Sequence, residues 1–225
     1  LNARIVMWAE ANGIVVDEQN GFRGDRSCPD HIQMLTNIIE TRKKQRKSTF
    51  IGYVDFKKAY DRINRSMLWH KLTAYGIQGT MLNALKSLYT NVSSCVRLNG
   101  QFSGWFPVHC GLKQGCNLSP TLFNFYINDL AVNIKRTNRG VTIGEDNVSA
   151  ILFADDIALL AETEQDLQNH FDTLDQWCET WKMDVNADKT KVVHYRNPSV
   201  TRTQFNFNCG GKHIAVVEKY KYLGL

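Results

Sequence analysis

The sequence predicts an α+β fold in which helices lie over an antiparallel sheet. Three observations point there. Segments with apolar residues at helical spacing are interspersed with short runs of β-type residues. Two of those runs, Ala150–Ala154 and Ile157–Ala161, stand so close together that only a hairpin can join them. Of 225 residues, 43% are hydrophobic and 11% aromatic, enough for a real core and too many for a globally disordered chain. No stretch approaches the roughly 20 apolar residues of a membrane helix, and residues 1–10 lack the basic, apolar, small-residue order of a secretion signal. A membrane partner is not expected.

The elements follow in order. Ser27–Asp30 reads as a helix start with Pro29 in the first turn. Ile32, Leu35, Ile38 and Ile39 then carry the helix to a basic end, Arg42–Lys47, whose charge suits a helix C-terminus. Thr49–Val54 is a short strand that ends at Asp55, and helices are expected near 65–75, closed by Gly76, and near 80–90. Cys95–Val108 reads as a hairpin turning at Asn99-Gly100. Ser119-Pro120 opens an aromatic-rich helix to about Arg136, and the paired apolar runs come next with Asp155-Asp156 as their turn. Residues 163–182 form an amphipathic helix with Leu167, Phe171, Leu174, Trp177 and Trp181 on one side. Short strands and Gly or Asn turns fill the tail.

A net charge of +5 conceals a partition. Residues 144–188 carry twelve acidic side chains and one basic, between two segments that are each strongly basic. A basic face beside an acidic segment suits a polyanionic ligand held near carboxylates, although most acids of residues 162–188 suit a solvated helix. Residues 42–71, with ten basic and two acidic side chains, suggest a stripe that tracks phosphates. The six cysteines form no C-x-x-C pair and show no zinc-ligand spacing. They read as reduced, mostly buried thiols of an intracellular protein.

The sharpest chemical feature is Asp155-Asp156. Two adjacent carboxylates between apolar strands place like charges at the rim of a core, which is costly without a cation to neutralise them. A hairpin tip aims neighbouring side chains to opposite faces, so that one Asp reaches a metal and the other supports it. Asp55, at the end of its own strand, brings a third carboxylate if that strand lies beside the hairpin. Hard divalent cations held this way keep oxygen positions open for phosphate. Asp61, one turn later, is placed to support a helix N-terminus or to pair with Arg62 or Arg65.

These segments resemble the motifs of a known family. Asn20–Ile32 (NGFRGDRSCPDHI), Val54–Asp61 (VDFKKAYD), Gly111–Pro120 (GLKQGCNLSP) and Phe153–Asp156 (FADD) occur in the order of reverse transcriptase motifs. FADD and the GFR…RS block look most like non-LTR (LINE-type) retrotransposon enzymes, with group II intron enzymes as the alternative home. The resemblance implies a right-hand polymerase palm, an antiparallel sheet backed by helices, with partial fingers and the thumb absent. On it, 1–50 would be partial fingers, 51–64 the palm strand bearing the first Asp, 65–106 fingers helices and hairpin, and 107–225 palm through a primer-grip-like hairpin. An arginine-bearing strand upstream of Leu1, a thumb after Leu225 and an endonuclease elsewhere in the parent polyprotein are expected of such a fragment.

The resemblance also assigns residues. Asp55, Asp155 and Asp156 match the catalytic aspartates and, with the Phe56 carbonyl, would hold two Mg²⁺ ions, with Mn²⁺ as a substitute. Tyr60 matches the aromatic under the nucleotide sugar, where a ring excludes a 2′-hydroxyl; a core aromatic is its other reading. Gln114 and Gly115 match the nucleotide pocket. Lys189, in Asn186–Lys191 (NADKTK), matches the lysine near the phosphates or is a surface lysine. Arg23 and Arg26 match template contacts or are surface arginines, and Tyr222, Leu223 and Gly224 fall in the primer-grip motif. The implied activity is RNA-directed DNA synthesis. Its partners are an RNA template, a DNA primer and deoxynucleoside triphosphates, in a nuclear or cytoplasmic ribonucleoprotein. A fragment that only binds nucleic acid, such as a degenerate element copy, and a palm-fold nucleotidyl cyclase are the competing readings.

Overall fold

A computed structural model of the chain describes residues 1–224; Leu225, the end of the Tyr220–Leu225 run, lies outside the described residues. Its centre is strand β1 (Thr49–Val54), every residue of which is buried. Alternate side chains leave its two faces: Phe50 and Val54 enter one apolar cluster, Ile51 and Tyr53 the other. β1 pairs antiparallel with β9 (Asp156–Ala161) on one side and β10 (Lys191–Tyr195) on the other. β8 (Ala150–Phe153), β11 (Phe207–Cys209) and β12 (Lys212–Val217) complete a six-stranded sheet in the order β11-β12-β10-β1-β9-β8. One pair departs from the expected antiparallel pattern: β10 and β12 run parallel.

Helices α5 (Ser119–Arg136) and α6 (Glu164–Trp181) cover the first face. Gly52 is what lets α6 approach, since a Cβ there would stand 2.8 Å from Phe171 Cζ. On the second face lies α2 (Cys28–Lys44), whose buried stripe of His31, Leu35, Ile38 and Arg42 has helical spacing. It starts where the sequence predicts, with Ser27 and Asp30 forming a reciprocal capping box. Helices α3 (Arg65–Ala74) and α4 (Gly79–Ser87) match the two expected after β1. The Asn99-Gly100 turn also forms as predicted, both residues having positive φ, between β3 (Arg97–Leu98) and β4 (Gln101–Phe102). Short pairs β2 (Ser93–Ser94) with β5 (Phe106–Pro107) and β6 (Val141–Ile143) with β7 (Asp146–Val148) lie outside the main sheet. Helix α1 (Asn2–Ala11) is an element the sequence reading lacks; it anchors through buried Ile5 and Ala9, with Trp8 packed against the same core.

Folding engages four of the ten basic residues of the 42–71 stripe, while Lys43, Lys44, Arg46, Lys47 and Lys58 stay exposed. Arg42 is buried, donating to Glu162 (2.7 Å), Thr49 and the Ser48 carbonyl. Lys71 is buried, donating to Asp129 at 2.5 Å and lying 3.8 Å from the centre of the Trp181 ring. Arg65 donates to the carbonyls of Val108, Cys110 and Gly111, and Arg62 pairs with Asp184. These four therefore tie helices and loops together and are withdrawn from any charged face. Within the described residues no helix is long and apolar enough to cross a membrane, and all six cysteines are free.

Candidate active site

Asp55 follows β1 directly, and the register that pairs Val54 with Ile157 sets it beside the start of β9. The hairpin opposite is one residue out of step with expectation. Phe153 pairs with Asp156, so the turn is Ala154-Asp155 and Asp156 is already the first residue of β9. The cause lies far away in sequence. The Gln19 side chain accepts from the Ala154 N–H at 2.8 Å and donates to the Ala154 carbonyl at 3.2 Å, holding Ala154 at φ +57°.

Asp55 and Asp155 line one open cleft of about 720 Å³, together with Phe56, Lys57, Lys58, Asn186 and Lys189. Segment 184–190 forms its other wall, bonded to the end of β1: Asn186 N–H donates to the Asp55 carbonyl (2.7 Å), Lys57 N–H to the Asp184 carbonyl (2.9 Å), and Thr190 Oγ1 accepts from the Asp55 N–H (3.1 Å). Lys189 Nζ stands 3.9 Å from Asp55 Oδ1 on a largely exposed side chain. Asp156 does not line the cleft; its carbonyl lies 3.5 Å from the Tyr222 hydroxyl.

The electrostatics are those of carboxylates short of a counter-charge. Burial, then repulsion from Asp55, raises the pKa of Asp155. Burial followed by the charges of Asp155 and Asp55 pushes Asp156 up to about 6. Among the described residues no three His, Cys, Asp or Glu side chains form a ready-made cage for an ion. The donor set nonetheless fits magnesium, which takes one or two carboxylates and fills its shell with water and substrate phosphate.

Next to the cleft lies a cavity of about 610 Å³ lined by Tyr60, Lys113, Gln114, Gly115, Asn117 and Phe22, among others. The three residues matched to a nucleotide pocket therefore share one space. The Tyr60 ring stacks on Phe123 with centroids 4.7 Å apart, and its buried hydroxyl has no hydrogen-bond partner among the described residues. Gln114 donates to Asp61 at 2.9 Å; Asp61 thus braces this loop and pairs with neither Arg62 nor Arg65.

Other expected contacts turn inward. Arg23 grips Glu10 through two nitrogens (2.9 and 2.7 Å) and the carbonyls of Val16 and Gln19, with 8% of its side chain exposed. Arg26 donates to Asp17 and Asn20. Both shape the loop that carries them. Tyr222 is buried, its hydroxyl 3.0 Å from His31 Nε2, which makes it a support of the sheet and not an open contact. Leu223 and Gly224 form a turn with positive φ, and residues 220–224 make no hairpin among the described residues. Sequence reasoning does not find Gln19; its position immediately before the motif that begins at Asn20 is the one available signal.

A sequence model of the family described as reverse transcriptase (RNA-dependent DNA polymerase) matches residues 1–225. The chain is 26% identical over 202 residues to the retrovirus-related Pol polyprotein from type-1 retrotransposable element R2 of Popillia japonica, covering 87% of this chain and 33% of that protein. It is 25% identical to the RNA-directed DNA polymerase from mobile element jockey of Drosophila melanogaster, over 92% of this chain and 22% of that one. It therefore spans a third or less of the length of these relatives. Among solved structures, telomerase from Candida tropicalis in complex with a fragment of telomeric RNA superposes with a TM-score of 0.65 over 91% of this chain and 35% of that one. At 15% identity that likeness speaks for the fold alone.

Proposed function

The chain belongs to the reverse transcriptase family, and from that premise we propose that it carries the nucleotidyl-transfer site of a retrotransposon RNA-directed DNA polymerase. The reaction is attack of a DNA primer 3′-hydroxyl on the α-phosphorus of a deoxynucleoside triphosphate opposite an RNA template. A new O–P bond forms, the bond to the bridging oxygen of the β-phosphate breaks, and pyrophosphate leaves. The observation that carries this reading is the convergence of Asp55, just past β1, and Asp155, in the β8–β9 turn, on one cleft with Lys189, beside the cavity of Tyr60, Gln114 and Gly115.

Two divalent ions, magnesium or manganese, would supply charge neutralisation and a more acidic primer hydroxyl when bound. Asp55 and Asp155, with the Phe56 carbonyl, would hold them. Asp156 would reinforce the negative field from the strand side. Lys189 would meet the phosphates as a point charge and give a proton to departing pyrophosphate. The Tyr60 ring, fixed by Phe123, would exclude a 2′-hydroxyl, while Gln114 and Gly115 line the nucleotide's other side. Leu223 and Gly224 would meet the primer. In this scheme the sheet with α5 and α6 is the palm (51–64 and 107–225), and 1–50 and 65–106 are fingers. The setting would be an intracellular ribonucleoprotein.

The test is extension of a DNA primer on an RNA template by the full-length parent protein with Mg²⁺. Wild-type protein is expected to extend it and Asp155→Asn to be inactive; equal activity in the variant would overturn the assignment.

A further inference from the structure

Asp155 owes its place in the cleft to a turn that its own sequence does not favour. Ala154 has φ +57°, a left-handed conformation in which a Cβ crowds the backbone and which glycine or asparagine would take more readily. Nothing in Phe153–Asp156 compensates. The compensation comes from Gln19, only 1% exposed and 135 residues away in sequence. Its side-chain amide pairs with both polar groups of Ala154, as a neighbouring strand would, and its Oε1 also accepts from the Gly21 N–H at 2.8 Å.

The segment around Gln19 is itself immobilised. Glu18 and Asn20 exchange backbone hydrogen bonds with Leu152, each at 2.8 Å. Two asparagines of α5 hold its flanks: Asn124 donates to the Gly21 carbonyl and Asn128 bonds Ile14 and Val16. Gly21 lies so close to the turn that a Cβ would stand 2.2 Å from the Ala154 nitrogen. A buried amide on a rigid segment, mated to a strained backbone beside a carboxylate, is a means of fixing that carboxylate.

We propose that Gln19 is a positioning residue that locks the Ala154-Asp155 turn, and through it the Asp155 carboxylate, in the geometry nucleotidyl transfer requires. The inference rests on the proposed polymerase function. A carboxylate displaced by about 1 Å loses roughly a hundredfold in rate, so loss of the lock should appear in kcat while the nucleotide KM, set in the neighbouring cavity, stays nearly constant.

The experiment uses full-length protein and compares wild type, Asp155→Asn, Gln19→Met and Gln19→Met combined with Ala154→Gly. Single-nucleotide extension is measured alongside amide hydrogen exchange at Ala154. Gln19→Met is expected to lower kcat about tenfold to a hundredfold and to speed exchange at Ala154. Ala154→Gly, which takes the left-handed φ without a Cβ, is expected to restore most of the kcat. Undiminished kcat in Gln19→Met, or no rescue by glycine, overturns the proposal. Should Gln19→Met not fold, the wild-type exchange still decides: protection at Ala154 supports the lock, and exchange at the unprotected rate refutes it. A wild type that extends no primer would instead refute the polymerase reading, and the exchange data would continue to report on the lock by themselves.

Discussion

His31 ties the stability of this fold to pH in a way that can be worked out from its neighbours. The ring is 2% exposed, and burial lowers its pKa from the ordinary 6.5 to about 4. Asn20 Nδ2 faces Nδ1 at 3.0 Å, and the Asn20 oxygen already accepts from Arg26, so that amide must donate. Nδ1 is therefore an acceptor and Nε2–H donates to the Tyr222 hydroxyl. A second proton would have no acceptor and would turn the Asn20 contact into a clash of donors. In the unfolded chain nothing hinders that proton. Between about pH 6.5 and 4 the unfolded state binds more protons than the native state, so stability is complete above that window and falls as pH drops through it. The gap between the two pKa values corresponds to at most about 3 kcal/mol. The assay is urea denaturation of wild type and His31→Gln at intervals from pH 7 to 4. Other groups contribute to both curves, so the difference between them carries the information. The variant is expected to lose stability less steeply, by up to that amount over the window. Two parallel curves would refute the account of a buried, singly protonated ring.

Two further predictions concern the sheet and the nucleotide cavity. Gly52→Ala puts a Cβ 2.8 Å from the tip of Phe171, a fully buried ring in contact with Phe207, and overpacking should destabilise the protein by about 1–3 kcal/mol in thermal or urea melts; an unchanged midpoint would show that α6 can shift freely. Tyr60→Ala should relax discrimination against ribonucleotides in the primer-extension assay, whereas Tyr60→Phe, which deletes a hydroxyl without a partner, should keep both the discrimination and the stability within about 1 kcal/mol. An unchanged ribo/deoxy ratio in Tyr60→Ala would leave the ring as packing only.

The parts of this molecule that sequence reveals are those written locally. Ser27 and Asp30 are three residues apart and cap α2 themselves, Asn99-Gly100 closes its own hairpin, and Asp155 announces itself because a charge between apolar strands is anomalous wherever it folds. What stays hidden is settled by partners distant in sequence. Whether Arg42 and Lys71 face solvent depends on Glu162 and Asp129, and the same basic residues read as a surface stripe until those partners are seen. Arg23 and Arg26 look like ligands for a polyanion but find Glu10 and Asp17 first. The turn register is the sharpest case: the continuous apolar runs of β8 and β9 are compatible with a turn at either 154–155 or 155–156, and an amide from residue 19 chooses between them.

The backbone contact between Gln19 and Leu152 also settles a problem of solubility. β8 is the outermost strand on its side of the sheet, apolar and nearly wholly buried, and a bare edge of that kind is a template for pairing with another chain. The Asn20 N–H donates to the Leu152 carbonyl and the Leu152 N–H to the Glu18 carbonyl, a single parallel bridge that blunts the edge. Because the blocker comes from the beginning of the chain and the edge from its middle, a nascent or partly opened molecule carries an unshielded edge until the two meet. Self-association should therefore track the docking of residues 18–20, making the same segment that aims Asp155 a guard against aggregation.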